Sequence, residues 1–137
     1  MSHVRADDRL AIGELMARYA WGLADRDWEA WLACFSAQAH VDYTTAGGIA
    51  GTPAEAATWL EATLAMFDVS ISQASNIVID FTDDDTATVR SMYKMAMRIP
   101  GDSPTYMEAC GYYRDTVVRL ESRWLLADRF EHLLYVR

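Results

Sequence analysis

Apolar positions keep two different rhythms in the two halves of the chain. Over residues 7–24 they recur at Leu10, Ile12, Leu15, Met16, Tyr19, Ala20 and Leu23, the spacing that gathers a stripe on one side of an α-helix. Asp7 or Asp8 would cap that helix and favour its positive end. A short second helix is expected over residues 27–35, with Trp28, Trp31 and Leu32 on one side and Asp27 as its cap. A strand at 39–43 then turns through Ala46-Gly47-Gly48 into a short partner near Ile49. Thr52-Pro53-Ala54-Glu55 opens a third helix: threonine at the cap, proline at the first helical position, glutamate three residues past the cap. It carries Ala57, Trp59, Leu60 and Leu64 and ends near Phe67.

Beyond residue 70 the period shortens towards two. Residues 71–81, 87–98, 106–120 and 123–136 read as four long strands. Asp83-Asp84-Asp85 makes a polar turn, residues 99–104 a loop and Glu121-Ser122 a tight hairpin. Three helices followed by an antiparallel meander predict an α+β fold. Its economical form is a cone: a strongly curved sheet wrapped around the three N-terminal helices, with an internal pocket. Residues 1–137 are read as one domain, long enough to bury a core.

Composition narrows the choice of partner. A net charge of −8 argues against nucleic acid, which needs a surplus of Lys and Arg on one face. No segment approaches the roughly 18 consecutive apolar residues of a membrane span. The first eight residues are polar and lack the apolar core of a signal peptide. No membrane partner is therefore expected, and the location is expected to be cytoplasmic. Cys34 and Cys110 make no disulfide framework and are read as buried free thiols. His3, His40 and His132 lack metal-ligand spacing, and Asp83-Asp84-Asp85 is read as a solvated turn, so neither metal nor cofactor is expected.

Five pieces of the chain carry a family resemblance: residues 19–28, Asp42-Tyr43, Asn76 ahead of an apolar strand, Gly111-Tyr112-Tyr113-Arg114-Asp115, and Arg123-Trp124-Leu125-Leu126. In this order and spacing, over nearly the whole chain, they resemble a SnoaL-like member of the nuclear-transport-factor-like superfamily. Relatives include scytalone dehydratase, hexachlorocyclohexane dehydrochlorinase, polyketide cyclases and ketosteroid isomerase. In the dehydratase and dehydrochlorinase branches the resemblance implies an Asp–His dyad, in which imidazole removes a proton and the carboxylate steadies the cation. The matching positions here are Ala24 and Ser72, and neither can play its part. Asp25 is one residue on, a turn of about 100° around a helix.

What remains for chemistry comes from the resemblance together with strand alternation. Tyr43 matches a pocket tyrosine of scytalone dehydratase, where a phenol can donate to a substrate carbonyl; the alternative is a core aromatic satisfied by backbone. The resemblance turns Tyr113 and Asp115 inward on one strand, and Arg129, with Ala127, Glu131 and Leu133, inward on the last. Arg129 and Asp115 could orient a ligand or form a structural ion pair. Tyr43, Arg129, Tyr113 and Asp115 are the candidate catalytic residues; Ser72, Asn76, Tyr93, Met95 and Asp25 are the candidate ligand-binding residues. Met92, Met95, Met97 and Met107 suggest an adaptable apolar lining.

The function expected on this basis is a cofactor-independent lyase, isomerase or cyclase on a hydrophobic, carbonyl-bearing small molecule, polyketide- or terpenoid-like, working without the dyad. The alternative is a non-catalytic protein that binds such a ligand in the same pocket. Tyr106, Tyr112 and Cys110 on the outer sheet face would suit a homodimer or homotrimer.

Overall fold

A computed structural model describes residues 5–137; the polar N-terminal segment, His3 included, lies outside the described residues. Helix α1 (Ala6–Asp25) and the short α2 (Trp28–Leu32) lead into β1 (Phe35–Asp42), a single 3-10 turn (Thr44–Ala46) and β2 (Ala50–Gly51). Helix α3 (Pro53–Leu64) follows, then β3 (Val69–Phe81), β4 (Thr86–Ile99), β5 (Thr105–Leu120) and β6 (Arg123–Val136). The six strands form one curved sheet in the order β2-β1-β6-β5-β4-β3. β3 to β6 are an antiparallel meander, and β1 joins the far side of β6 in parallel. The result is the expected α+β cone. Among the described residues no helix is long and apolar enough to cross a membrane.

Local chemistry explains most of the boundaries. Thr52 Oγ1 accepts from the Glu55 amide at 3.2 Å while Glu55 Oε1 accepts from the Thr52 amide at 3.2 Å, with Pro53 beginning the helix; two orphan donors are thereby satisfied. Asp27 caps α2 through the Ala30 amide at 3.1 Å. Glu121 and Ser122 sit at φ 50° and 65°, the left-handed pair that matches the twist of a two-residue hairpin.

Three boundary expectations are corrected. Asp8 does not cap α1. Its carboxylate instead takes Arg5 and Arg119, each at 2.9 Å, and Trp124 Nε1 at 3.0 Å, tying the helix to the β5–β6 hairpin; the Trp124 bond leads in lowering its pKa. Leu10 is 70% exposed, because it stands two residues, roughly 200° of helix, from Ile12 in the buried stripe. The second helix ends at Leu32, and β1 starts at Phe35. Cys34 O accepts from the Leu126 amide at 2.8 Å and Phe35 pairs with Leu126, so the last strand pulls these residues out of the helix.

Ile12, Leu15, Met16, Tyr19 and Leu23 of α1 meet Trp31, Phe35, Val89, Val117 and Leu126 in the core. Cys34 is buried there, while Cys110 is only half-buried, on the outer face, with its Sγ 3.3 Å from the Tyr135 hydroxyl. One glycine shapes the concave face. Gly111 pairs with Tyr93, whose ring lies over it. A Cβ at Gly111 would collide with the His132 carbonyl and stand 2.8 Å from Tyr93 Cε1. Gly111→Ala is expected to lower the unfolding free energy by roughly 1–3 kcal/mol, measurable by urea denaturation, and to disturb the near-ultraviolet circular dichroism of the packed tyrosines. An unchanged near-ultraviolet spectrum would refute this account of Tyr93.

Candidate active site

The helices do not fill the concave face. Between α1, α3 and strands β4–β6 lies a cavity of about 200 Å³. Leu60, Leu64 and Phe67 form one wall, and Met95, Met97, Met107 and Leu133 form the other; Trp59 and Ala46 complete it. Unbranched methionines give such a wall adaptability. Met92, expected with them, points to the outer face and is 49% exposed, as its odd register against Tyr93 and Met95 requires.

Set into this apolar wall are Tyr19, Tyr43, Tyr93, Tyr113, Thr63 and Glu131. Glu131 stands opposite Tyr113 in the β5–β6 ladder, so the two side chains leave the same face about 5 Å apart at their Cβ atoms. The Tyr93 ring stacks on Tyr113 at 4.6 Å and 27°. Its hydroxyl is buried beside Glu131 with no hydrogen bond of good geometry. Burial pushes the Glu131 carboxyl from 4.5 up to about 7, against the pull of the Tyr93 hydroxyl and the Arg129 charge. A carboxyl in that range is ionised or protonated with equal ease near neutrality.

The phenols behave differently. Burial raises Tyr19, Tyr43, Tyr93 and Tyr113 above their ordinary value, so they remain donors at neutral pH. The Tyr43 hydroxyl is hydrogen-bonded to the Tyr19 hydroxyl, not to the backbone. In such a pair one proton is spent between the oxygens and the other is left for a third partner. Trp59 holds the Tyr43 ring at 6.2 Å between centroids.

Arg129 lies behind this array and does not line the cavity. Its guanidinium makes two 2.8 Å bonds to the Asp115 carboxylate and one at 3.1 Å to Met16 Sδ. It packs 3.8 Å from the Tyr113 centroid and 4.2 Å from that of Tyr19. Burial pushes the Asp115 carboxyl up while Arg129 draws it back down. The pair occupies both carboxylate oxygens, so Arg129 and Asp115 hold the tyrosines in place from beneath the cavity.

Of the residues proposed from sequence, the structure brings Tyr43, Tyr93, Tyr113 and Met95 to the cavity. Ser72 is half-buried on β3, away from its lining. Asp25 is exposed at the end of α1, in an outer groove with Trp21 and Arg123. Asn76 is also exposed; at φ 54° it occupies the β3 bulge between Ser75 and Val78, a conformation that asparagine tolerates better than most residues. Neither Asp25 nor Asn76 can touch a ligand in this cavity. His40 is exposed beside Asp128 and His132 stacks on Tyr112 outside the cone, so no described histidine faces the pocket. The residue that sequence reasoning placed inward but left without a role is Glu131. The signal was a lone carboxylate in an inward strand position between Arg129 and Leu133.

A family model described as a SnoaL-like domain matches residues 4–129. The chain belongs to the SnoaL-like domain family. An uncharacterised protein of Mycobacterium tuberculosis is 28% identical over 131 residues, spanning 96% of this chain and 88% of its own. Among solved structures, a candidate scytalone dehydratase of Novosphingobium aromaticivorans superposes with a TM-score of 0.87 at 25% identity, covering 100% of this chain and 91% of its own. The type 2 hexachlorocyclohexane dehydrochlorinase LinA superposes with a TM-score of 0.84 at 16% identity, over 100% and 92% of the two chains. These likenesses fit the SnoaL-like cone with its concave face turned inward.

Proposed function

We propose that this SnoaL-like protein is a cofactor-independent lyase, isomerase or cyclase. It moves a proton next to the carbonyl of a hydrophobic small molecule, with Glu131 as the acid–base group. One observation carries the reading: a single carboxyl with its pKa raised to about 7 stands in an apolar cavity among phenol donors. The Glu131 carboxylate takes a proton from the carbon beside the carbonyl. The C–H bond breaks, a C=C bond forms, and the electron pair moves onto the carbonyl oxygen. Tyr113, or the free proton of the Tyr19–Tyr43 pair, donates to that oxygen as its charge develops. The Glu131 acid then returns the proton to another carbon, giving isomerisation, or to a departing hydroxyl, giving dehydration with loss of water. Dehydration is the activity in the name of the 25%-identical relative, and it needs the same group. On the family resemblance Ala24 and Ser72 stand where its relatives carry the Asp–His dyad, and Glu131 supplies the base from a different strand.

The experiment is solvent deuterium uptake by small ketones, followed by NMR. Wild type is expected to label the carbon beside the carbonyl, Tyr113→Phe to label it more slowly, and Glu131→Gln to fall to the uncatalysed background. Labelling by Glu131→Gln at the wild-type rate would remove the proposal.

A further inference from the structure

The size and charge of the cavity restrict what it can hold, an inference that rests on the proton-transfer reading above. We propose that the site takes neutral, single-ring ketones, and that it rejects both carboxylates and fused polycyclic ligands. An apolar cavity of about 150 Å³ holds benzene, and drug-sized ligands need roughly 300 Å³ or more. At about 200 Å³ this cavity accommodates one ring with a few substituent atoms. The wall facing the methionines cannot easily be pushed back: Leu60, Leu64 and Phe67 are buried in the core cluster, and the Tyr93 ring is pinned against Gly111.

Charge selects in the same direction. Glu131 is the one acidic or basic side chain among the residues lining the cavity. The nearest cation, Arg129, is locked to both oxygens of Asp115 behind the tyrosines. A ligand carboxylate would enter an apolar space, meet Glu131 and find no counter-charge, so its desolvation goes uncompensated. A neutral carbonyl oxygen instead finds the Tyr113 hydroxyl or the spare proton of the Tyr19–Tyr43 pair.

Three probes separate these effects in titrations at pH 8.5, read by tryptophan fluorescence, since Trp59 forms part of the wall. They are 4′-methylacetophenone, its carboxylate counterpart 4-acetylbenzoate, and the four-ring ketone progesterone. The expected result is binding of 4′-methylacetophenone at least about tenfold tighter than 4-acetylbenzoate, with no displacement by progesterone. In Glu131→Gln, confirmed as folded by circular dichroism, the gap between the two single-ring probes should narrow severalfold while progesterone stays excluded. Equal or tighter binding of 4-acetylbenzoate, displacement by progesterone, or no binding of 4′-methylacetophenone would overturn the proposal. Deuterium uptake at the acetyl methyl group tests the other reading separately. Selective binding of 4′-methylacetophenone without Glu131-dependent uptake would sink the proton-transfer role and leave the ligand class standing. Uptake into progesterone but not into 4′-methylacetophenone would do the reverse.

Discussion

Arg129→Met is expected to cost about 3–5 kcal/mol of unfolding free energy. The variant leaves the Asp115 carboxylate buried with nothing in place of its two 2.8 Å partners. It also removes the cation packed against the Tyr19 and Tyr113 rings. Arg129→Lys should not rescue it, because an ammonium cannot bridge both oxygens and lie flat between rings. The double variant Arg129→Met with Asp115→Leu should recover much of the loss, since a buried ion pair replaced by apolar side chains is often close to neutral. Urea denaturation of the three variants beside wild type makes the comparison. A single Arg129→Met variant within about 1 kcal/mol of wild type would show that this pair does not support the cone.

Stability should also fall as pH rises towards neutrality, and Glu131 should be the reason. Its folded value of about 7 lies above the ordinary 4.5, so between those values the folded protein keeps a proton that the unfolded chain has released. The contribution is complete below about pH 4.5 and is lost as pH rises through about 7. Over that window the loss is about 3 kcal/mol, the shift converted at 1.36 kcal/mol per unit. Glu131→Gln removes the titration, so the difference in unfolding free energy between variant and wild type should grow in favour of the variant from pH 5 to pH 8. A difference that stays flat across the range would mean that Glu131 is not a buried acid. The same ionisation should appear in catalysis as a rise in kcat/KM through about pH 7 on the acid limb, since the base must be charged to act.

The fold was legible because its signals are local. The α1 stripe, the Thr52–Glu55 capping box, the Asp27 cap and the period-two strands each lie within a few residues of sequence. The errors fall where distant chain intervenes. Nothing around Phe35 announces that Leu126 will draw it into a strand, and nothing around Asp8 announces Arg119 and Trp124. The site divides in the same way. Alternation groups Tyr113 with Asp115 and Glu131 with Arg129, and the family resemblance turns those faces inward, but what makes Glu131 an acid–base group is burial by side chains from several elements, which no window of sequence contains. The pair Arg129–Asp115 shows the opposite limit. Both residues were expected to face inward, and only the ladder register that sets Asp115 against Arg129 decides that they serve each other and not a ligand.

The parallel pairing of β1 with β6 has a consequence for how the molecule assembles. Every other long strand meets a neighbour adjacent in sequence through a hairpin, which closes a short loop at small entropic cost. β1 has only the two-residue β2 on one side and must wait for β6 on the other. The segment bearing Tyr43 is thus held in the sheet by the pairing that spans the most chain, the costliest closure in the sheet. Tyr43 and Glu131 reach the same cavity only through that closure, so the site is assembled from the two segments that lie farthest apart in the sheet's chain order.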